Sequence, residues 1–293
     1  MLRLGSLIRN PQTRKGVTLL PPRCFHVSAT GPETQFLETS SLGKTRQIAY
    51  QKIDGIRTPG IIYIPGFMSH KAATKASMLH SFCQKYGFPY VRYDPSGLGE
   101  TKGVNITETT LTLWLEDATQ VLSHLTDGPQ LIVASSMGCW ISSLIAKTHP
   151  EKFNSLLLLA PAINFGRKYM QVLLSQLPPE LKKKFEKDEV VKLFSPDYGE
   201  FPLRKSMFED MKKRELSMEA GSIPIQCPTR IIHGVKDKDV PYKESLQVLG
   251  ALQTNDVQLL YVKHGGHQLS DSASLEIICD TILKLTAPNS QTQ

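Results

Sequence analysis

Gln130-Leu-Ile-Val-Ala-Ser-Ser-Met-Gly-Cys-Trp140 passes from a β-type apolar run into a helical one through Ala134-Ser135-Ser136-Met137-Gly138. A small residue stands two places before Ser136 and another two places after it, the spacing of a G-x-S-x-G turn with alanine in the first glycine position. Those flanking positions face a crowded strand–helix junction, so only small side chains let the serine take a strained backbone conformation. The hydroxyl then projects above the strand end. The helix opening at Met137 aims its amides and the positive end of its dipole at the same point. A serine after a strand also serves as a plain helix N-cap, so the pentapeptide alone leaves two readings open. The neighbouring hydroxyl, Ser135, lacks the small residue two places on.

Outward from this stretch, short apolar runs alternate with longer amphipathic ones. Strands are expected at Arg46 to Lys52, Gly60 to Ile64, Phe88 to Asp94, Gln130 to Ala134, Ser155 to Ala160, Thr229 to His233 and Val257 to Val262. Helical patterns lie around Lys71 to Tyr86, Thr109 to Leu125, Met137 to Thr148, Lys243 to Leu252 and Ser272 to Leu285. The alternation predicts an α/β fold, a mostly parallel sheet with helices on both faces. About residues 163 to 222 the alternation breaks into a Lys-, Glu- and Met-rich segment punctuated by Pro178, Pro179, Pro196 and Pro202. That segment reads as a helical insertion in one domain spanning 31–293, placed to cap a site.

An activated serine needs a base, and a parallel sheet presents its loops at the carboxyl edge. After Thr229 to Ile232 comes His233-Gly-Val-Lys-Asp-Lys-Asp-Val-Pro, which sets Asp237 in a post-strand loop. After Val257 to Val262 comes Lys263-His-Gly-Gly-His, which sets His267 in a glycine-loosened loop before the last helix. The order nucleophile, acid, base is thus available as Ser136, Asp237 and His267. Asp239 is the rival carboxylate and an equally good helix cap; His264 is the rival base, expected to be held in local packing. An oxyanion formed at Ser136 would need two backbone donors. The amides of Met137 and of Phe67, in the Pro65-Gly66-Phe67 loop after Ile64, are the candidates.

The formal charge of +7 is concentrated at one end. Residues 1–30 hold Arg3, Arg9, Arg14, Lys15 and Arg23 and no acid, and without them 29 basic side chains face 27 acidic ones. A nearly neutral body argues against nucleic acid as a partner. The basic, acid-free start, with Leu2, Leu4, Leu7 and Ile8 at roughly helical spacing and several hydroxyls, has the composition of a mitochondrial transit peptide that is removed. No apolar run approaches the ~20 residues that span a bilayer. Five scattered cysteines lack metal-ligand spacing, and isolated glycine pairs make no nucleotide fingerprint, so no metal or organic cofactor is expected.

Tyr63-Ile-Pro-Gly-Phe, Arg92-Tyr-Asp-Pro-Ser-Gly-Leu-Gly-Glu, Ala134-Ser-Ser-Met-Gly and His233-Gly-Val-Lys-Asp together resemble the α/β-hydrolase superfamily over nearly all of residues 45 to 287. Pro59-Gly-Ile-Ile-Tyr-Ile-Pro-Gly-Phe, Leu177-Pro-Pro-Glu-Leu-Lys-Lys, Cys227-Pro-Thr-Arg-Ile-Ile-His-Gly-Val-Lys-Asp, and Lys263-His followed by His267 resemble, more narrowly, its mitochondrial palmitoyl-protein thioesterase and acyl-glucuronide esterase branch. The resemblance implies a serine hydrolase with Ser136 as nucleophile, Asp237 as acid and His267 as base. It further implies mitochondrial location, and as substrate an S-acylated protein or, alternatively, a small acyl conjugate. Ala134 and Cys139 stand where such proteins often carry glycine.

Overall fold

Strands β3 (Ile61–Ile64) and β5 (Gln130–Ser135) consist of side chains that are buried without exception, as expected of strands covered on both faces. They lie in a computed structural model that describes residues 33–195 and 199–287 of the chain; the transit-peptide expectation for residues 1–30 falls outside these. The other strands are β1 (Gln35–Ser41), β2 (Lys44–Ile53), β4 (Tyr90–Tyr93), β6 (Phe153–Leu159), β7 (Val191–Ser195), β8 (Gly199–Leu203), β9 (Thr229–Gly234) and β10 (Val257–Val262). The helices are α1 (Thr74–Tyr86), α2 (Leu111–Leu125), α3 (Met137–Thr148), α4 (Phe165–Gln176), α5 (Pro179–Glu186), α6 (Lys205–Lys213), α7 (Glu244–Ala251) and α8 (Ser272–Leu285).

Eight strands form one sheet in the order β1-β2-β4-β3-β5-β6-β9-β10. All neighbours from β4 to β10 run parallel, while β2 is antiparallel to both β1 and β4. Alternate residues feed two cores. Ile62, Ile64, Ile132, Ala134, Leu156 and Leu158 pack with α2, α3 and α7, and Ile61, Tyr63, Leu131, Val133, Leu157 and Leu159 pack with α1 and α8. Both faces are therefore covered by helices, as the sequence pattern predicts.

Chain order reverses at β3. The segment after β3 crosses to β4 on one side, and β5 then pairs on the other, with Ile64 opposite Ala134. Such a switch point opens a crevice at the carboxyl ends of its strands, and Gly66 and Ser136 lie there. Helix ends hold the frame: the Thr110 hydroxyl accepts from the Leu113 amide to cap α2, and Asp271 accepts from the Ser274 amide to cap α8.

Between β6 and β9 the chain forms α4, α5, the antiparallel hairpin β7–β8, and α6. The hairpin corrects the expectation of a purely helical insertion. Val191, Phe201 and Leu203 point inward and Lys192 and Glu200 point outward, paired at 2.9 Å, a period of two hidden within a charged segment. Edge strand β1 is a second element absent from the expectation. The insertion is tied to the body at several points. Asp210 accepts from the Thr112 amide at 2.8 Å and hydroxyl at 2.7 Å, Arg214 Nε donates to that hydroxyl at 2.9 Å, and Trp140 Nε1 donates to the Arg214 carbonyl at 3.1 Å. Among the described residues Cys83, Cys139 and Cys227 form no disulfide, and no helix is long and apolar enough to cross a membrane.

Candidate active site

Ser136 sits between β5 and α3 with φ 53° and ψ −118°, a left-handed conformation costly for a residue with a side chain. Its backbone is pinned: the amide donates to the Leu159 carbonyl at 2.8 Å, and its carbonyl accepts from Cys139 at 3.0 Å and Ala162 at 3.2 Å. The neighbouring glycine explains the spacing. A Cβ on Gly138 would overlap the Ile64 carbonyl oxygen and lie 2.7 Å from that of Pro65, so α3 approaches the end of β3 more closely than any side chain permits. The hydroxyl makes no helix-cap bond, which removes the N-cap reading. It lies 2.9 Å from His267 Nε2 instead.

His267 follows β10 in a loop drawn against the end of β9. Gly234 has no room for a Cβ, which would stand within 2.6 Å of the Gly265 carbonyl carbon and the Gly266 carbonyl oxygen. The Lys236 amide bridges the two loops to the Gly265 carbonyl at 2.9 Å. This closeness brings Asp237 Oδ2 within 2.7 Å of His267 Nδ1. Facing a carboxylate, Nδ1 carries the proton, so Nε2 accepts from the Ser136 hydroxyl. The Asp237 side chain is fully buried and that of His267 nearly so. Burial opposes the Asp237 charge, yet hydrogen bonds from His233 and His267, the His267 charge and the Val240 amide outweigh it and hold the carboxyl well below the usual carboxylate range.

The rivals fall away on position. Asp239 is exposed and gives its amide to Asp237 Oδ1 at 2.8 Å. His264 is not held in packing as expected; it lies on the surface, 3.2 Å from Asp271 Oδ1. Ser135 is buried within β5. Of the two amides considered for an oxyanion, that of Met137 opens α3, where the first four amides have no intrahelical acceptor. Phe67 follows Gly66, whose position for a Cβ is 3.0 Å from Ser136 Cβ, so this loop passes directly over the serine. The Phe67 ring is fixed edge-on to Trp114 at 5.9 Å and to Phe201 of β8 at 5.7 Å.

Two residues escaped sequence reasoning. His233 donates to Asp237 from the rear; it was visible only as the first letter of H-G-x-x-D. Lys75 of α1 is buried, and its ammonium donates to the carbonyl of Gln268, beside His267, with burial lowering it to about 8. Nothing in the sequence around Lys75 points to this. Asp237, Asp239 and His267 bring ligand atoms within 4.8 Å of one another, the one such grouping found among the described residues. Both Asp237 oxygens already accept hydrogen bonds and His267 Nδ1 is turned to the carboxylate, an arrangement suited to proton handling rather than to holding a cation.

The family model described as serine aminopeptidase, S33, matches residues 59–271. The chain is 36% identical over 236 residues to the Homo sapiens protein named palmitoyl-protein thioesterase ABHD10, mitochondrial, covering 80% of this chain and 75% of that one. Its structure is similar to that of α/β hydrolase domain-containing protein 10 from mouse, with TM-score 0.73, 32% identity and coverage of 86% and 98%. A putative hydrolase from Agrobacterium vitis S4 shares the fold at TM-score 0.79 and 24% identity, over 88% of this chain and 100% of that one.

Proposed function

This chain belongs to the serine aminopeptidase S33 family of α/β hydrolases and is a hydrolase, and from that premise we propose that it cleaves acyl thioesters through an acyl-serine intermediate. The observation that carries the proposal is the unbroken line Ser136 Oγ, His267 Nε2, His267 Nδ1, Asp237 Oδ2, with contacts of 2.9 and 2.7 Å at its two ends. Ser136 is the nucleophile, His267 the general base, and Asp237 the carboxylate that orients the imidazole and stabilises its cation.

In this reading each step has an agent. As the Ser136 oxygen bonds to the acyl carbon, its proton passes to His267 Nε2. The carbonyl oxygen gains the charge and is held by the Phe67 and Met137 amides. Collapse breaks the carbon–sulfur bond, and the departing sulfur takes the proton from His267. Water then attacks the acyl-serine with the same base and the same donors. General-base help contributes about 10²–10⁴ in rate, and each oxyanion donor about 10²–10³. A thiol of pKa about 8.5 is a better leaving group than an alcohol, which favours thioesters on this machinery.

The insertion acts as the cap. Phe201, Leu203, Met207, Phe208 and Met211 are buried and continue the apolar core above α2 and α3, which seats the cap on the body beside the site. The name of its relative supports a palmitoyl or similar group carried on protein cysteines as substrate. The acid-free start of the chain and those same names support a mitochondrial location. Turnover of a palmitoyl-cysteinyl peptide, a butyryl thioester and an acyl glucuronide, each against a Ser136→Ala blank, tests the substrate class. The peptide should give the highest kcat/KM. Preference for the glucuronide would replace the thioesterase reading with an esterase one.

A further inference from the structure

Asp237 Oδ2 accepts two imidazole N–H groups, from His267 at 2.7 Å and from His233 at 2.9 Å. His233 Nε2 faces Asp237 Oδ2 and the Val240 carbonyl at 3.2 Å, both acceptors, so this nitrogen carries the proton. Nδ1 of the same ring lies 2.6 Å from the Ser245 hydroxyl on α7 and, in the neutral ring, accepts its hydrogen. His233 and Ser245 are both fully buried, which keeps water from competing for either bond. Asp237 Oδ1 is occupied as well, by the amides of Asp239 and Val240 at 2.8 Å each.

Resting on the assignment of His267 as the general base, we propose that His233 is a positioning residue of this hydrolase, one that fixes the Asp237 carboxylate and, by sharing Oδ2, limits how strongly it stabilises the His267 imidazolium. A carboxylate bonded to four donors is fixed in orientation and presents less charge to any one of them. Ser245 acts one step further back, because its hydroxyl holds the His233 ring with the proton aimed at Oδ2. The other charged or titratable groups around this carboxylate are few. Lys236, Lys238 and Asp239 are exposed on its own loop. Tyr169 approaches from α4, its phenol pushed up to about 12 by burial and the Asp239 charge. Glu244 of α7 is engaged by Lys168 at 2.7 Å.

The arrangement has a kinetic signature. Without the His233 donor, Oδ2 offers its full charge to His267, the imidazolium is favoured, and the base becomes available only at higher pH. The acid limb of kcat/KM for a butyryl thioester should therefore move upward in His233→Leu by about half a unit to one unit, the size of one net hydrogen bond. His233→Gln, whose amide N–H can reach Oδ2, should return the limb towards its original position. Ser245→Ala, a small change unlike a buried histidine replacement in its burden on folding, should move the limb the same way by about a quarter of a unit through weakened polarisation of the ring. Rates are normalised to the fraction of molecules labelled by a fluorophosphonate, so loss of folded protein lowers the amount counted and leaves the limb where it is. An unmoved limb in Ser245→Ala, or in His233→Leu where it folds, overturns the proposal and leaves His233 a packing residue. Wild-type turnover in Ser136→Ala would instead remove the assignment on which it rests.

Discussion

Gly138→Ala places a single methyl group where α3 meets the end of β3. The added carbon would overlap the Ile64 carbonyl oxygen and come within 2.7 Å of the Pro65 carbonyl oxygen and 3.0 Å of the Ile64 carbonyl carbon. All three are backbone atoms of a buried central strand and its exit, so no side chain can swing aside, and the first turn of α3 must retreat by about 1 Å. Overpacking of this kind costs about 1–3 kcal/mol. At about 2–4 °C per kcal/mol for a domain near this size, Tm should fall by about 2–12 °C. The retreat carries the Met137 amide away from the acyl oxygen while Phe67 stays, held by Trp114 and Phe201. Misplacement by about 1 Å costs about 10²-fold in rate, and kcat should fall by that factor with little change in KM. Differential scanning fluorimetry and butyryl-thioester turnover measure the two effects. Gly250→Ala in α7, whose methyl would meet nothing within 4 Å, is the control and should gain up to about 1 kcal/mol with turnover unchanged. Wild-type Tm and kcat in Gly138→Ala would refute the close-approach explanation of the small-x-Ser-x-Gly spacing.

Three further outcomes follow from buried charge. Lys75→Met should raise stability at pH 7 by about 1–2 kcal/mol in urea unfolding, since burial lowers this lysine to about 8, while turnover falls because the Gln268 carbonyl beside His267 loses its donor. The wild type should also gain stability as pH rises from about 8 to 10.5, where the unfolded chain binds the extra proton, and the variant should not. Arg46→Met, which strands the fully buried Asp117 carboxylate 2.9 Å from its lost partner, should cost about 3–5 kcal/mol, and adding Asp117→Leu should recover part of that by the same measurement. His80 is lowered from 6.5 to about 4 by burial and by the Arg92 charge, so the folded state binds fewer protons in that window. Stability should fall as pH drops from 6.5 towards 4, and His80→Phe should flatten that part of the urea-midpoint profile.

The parallel core was legible because its strands are continuous apolar runs; Val257–Val262, Met137–Thr148 and Ser272–Leu285 have the expected ends. Burial on both faces leaves no alternation to misread in β3, β5 and most of β6, whereas edge strand β10 alternates between half-buried and exposed residues. Strand β1, Gln-Phe-Leu-Glu-Thr-Ser-Ser, is an edge strand exposed along most of its length and stabilised by its ladder to β2, which composition does not reveal. The β7–β8 hairpin was hidden by its short length, by Pro202 within β8 and by the lysines around it. Within the site, the convergence of Ser136, Asp237 and His267 was legible because each follows a strand run that ends at the same edge of the sheet. The roles of His233 and Lys75 depend on contacts behind the carboxylate and beneath the Gln268 carbonyl, distances that only the packed sheet defines.

The most direct test of the central claim is peptide mapping by mass spectrometry after reaction of the folded protein with a fluorophosphonate. The expected result is one adduct, on Ser136, formed at least about 10²-fold more slowly in His267→Ala, which retains the serine but not its base. An adduct elsewhere, or labelling of Ser136 at an unchanged rate without His267, would contradict it.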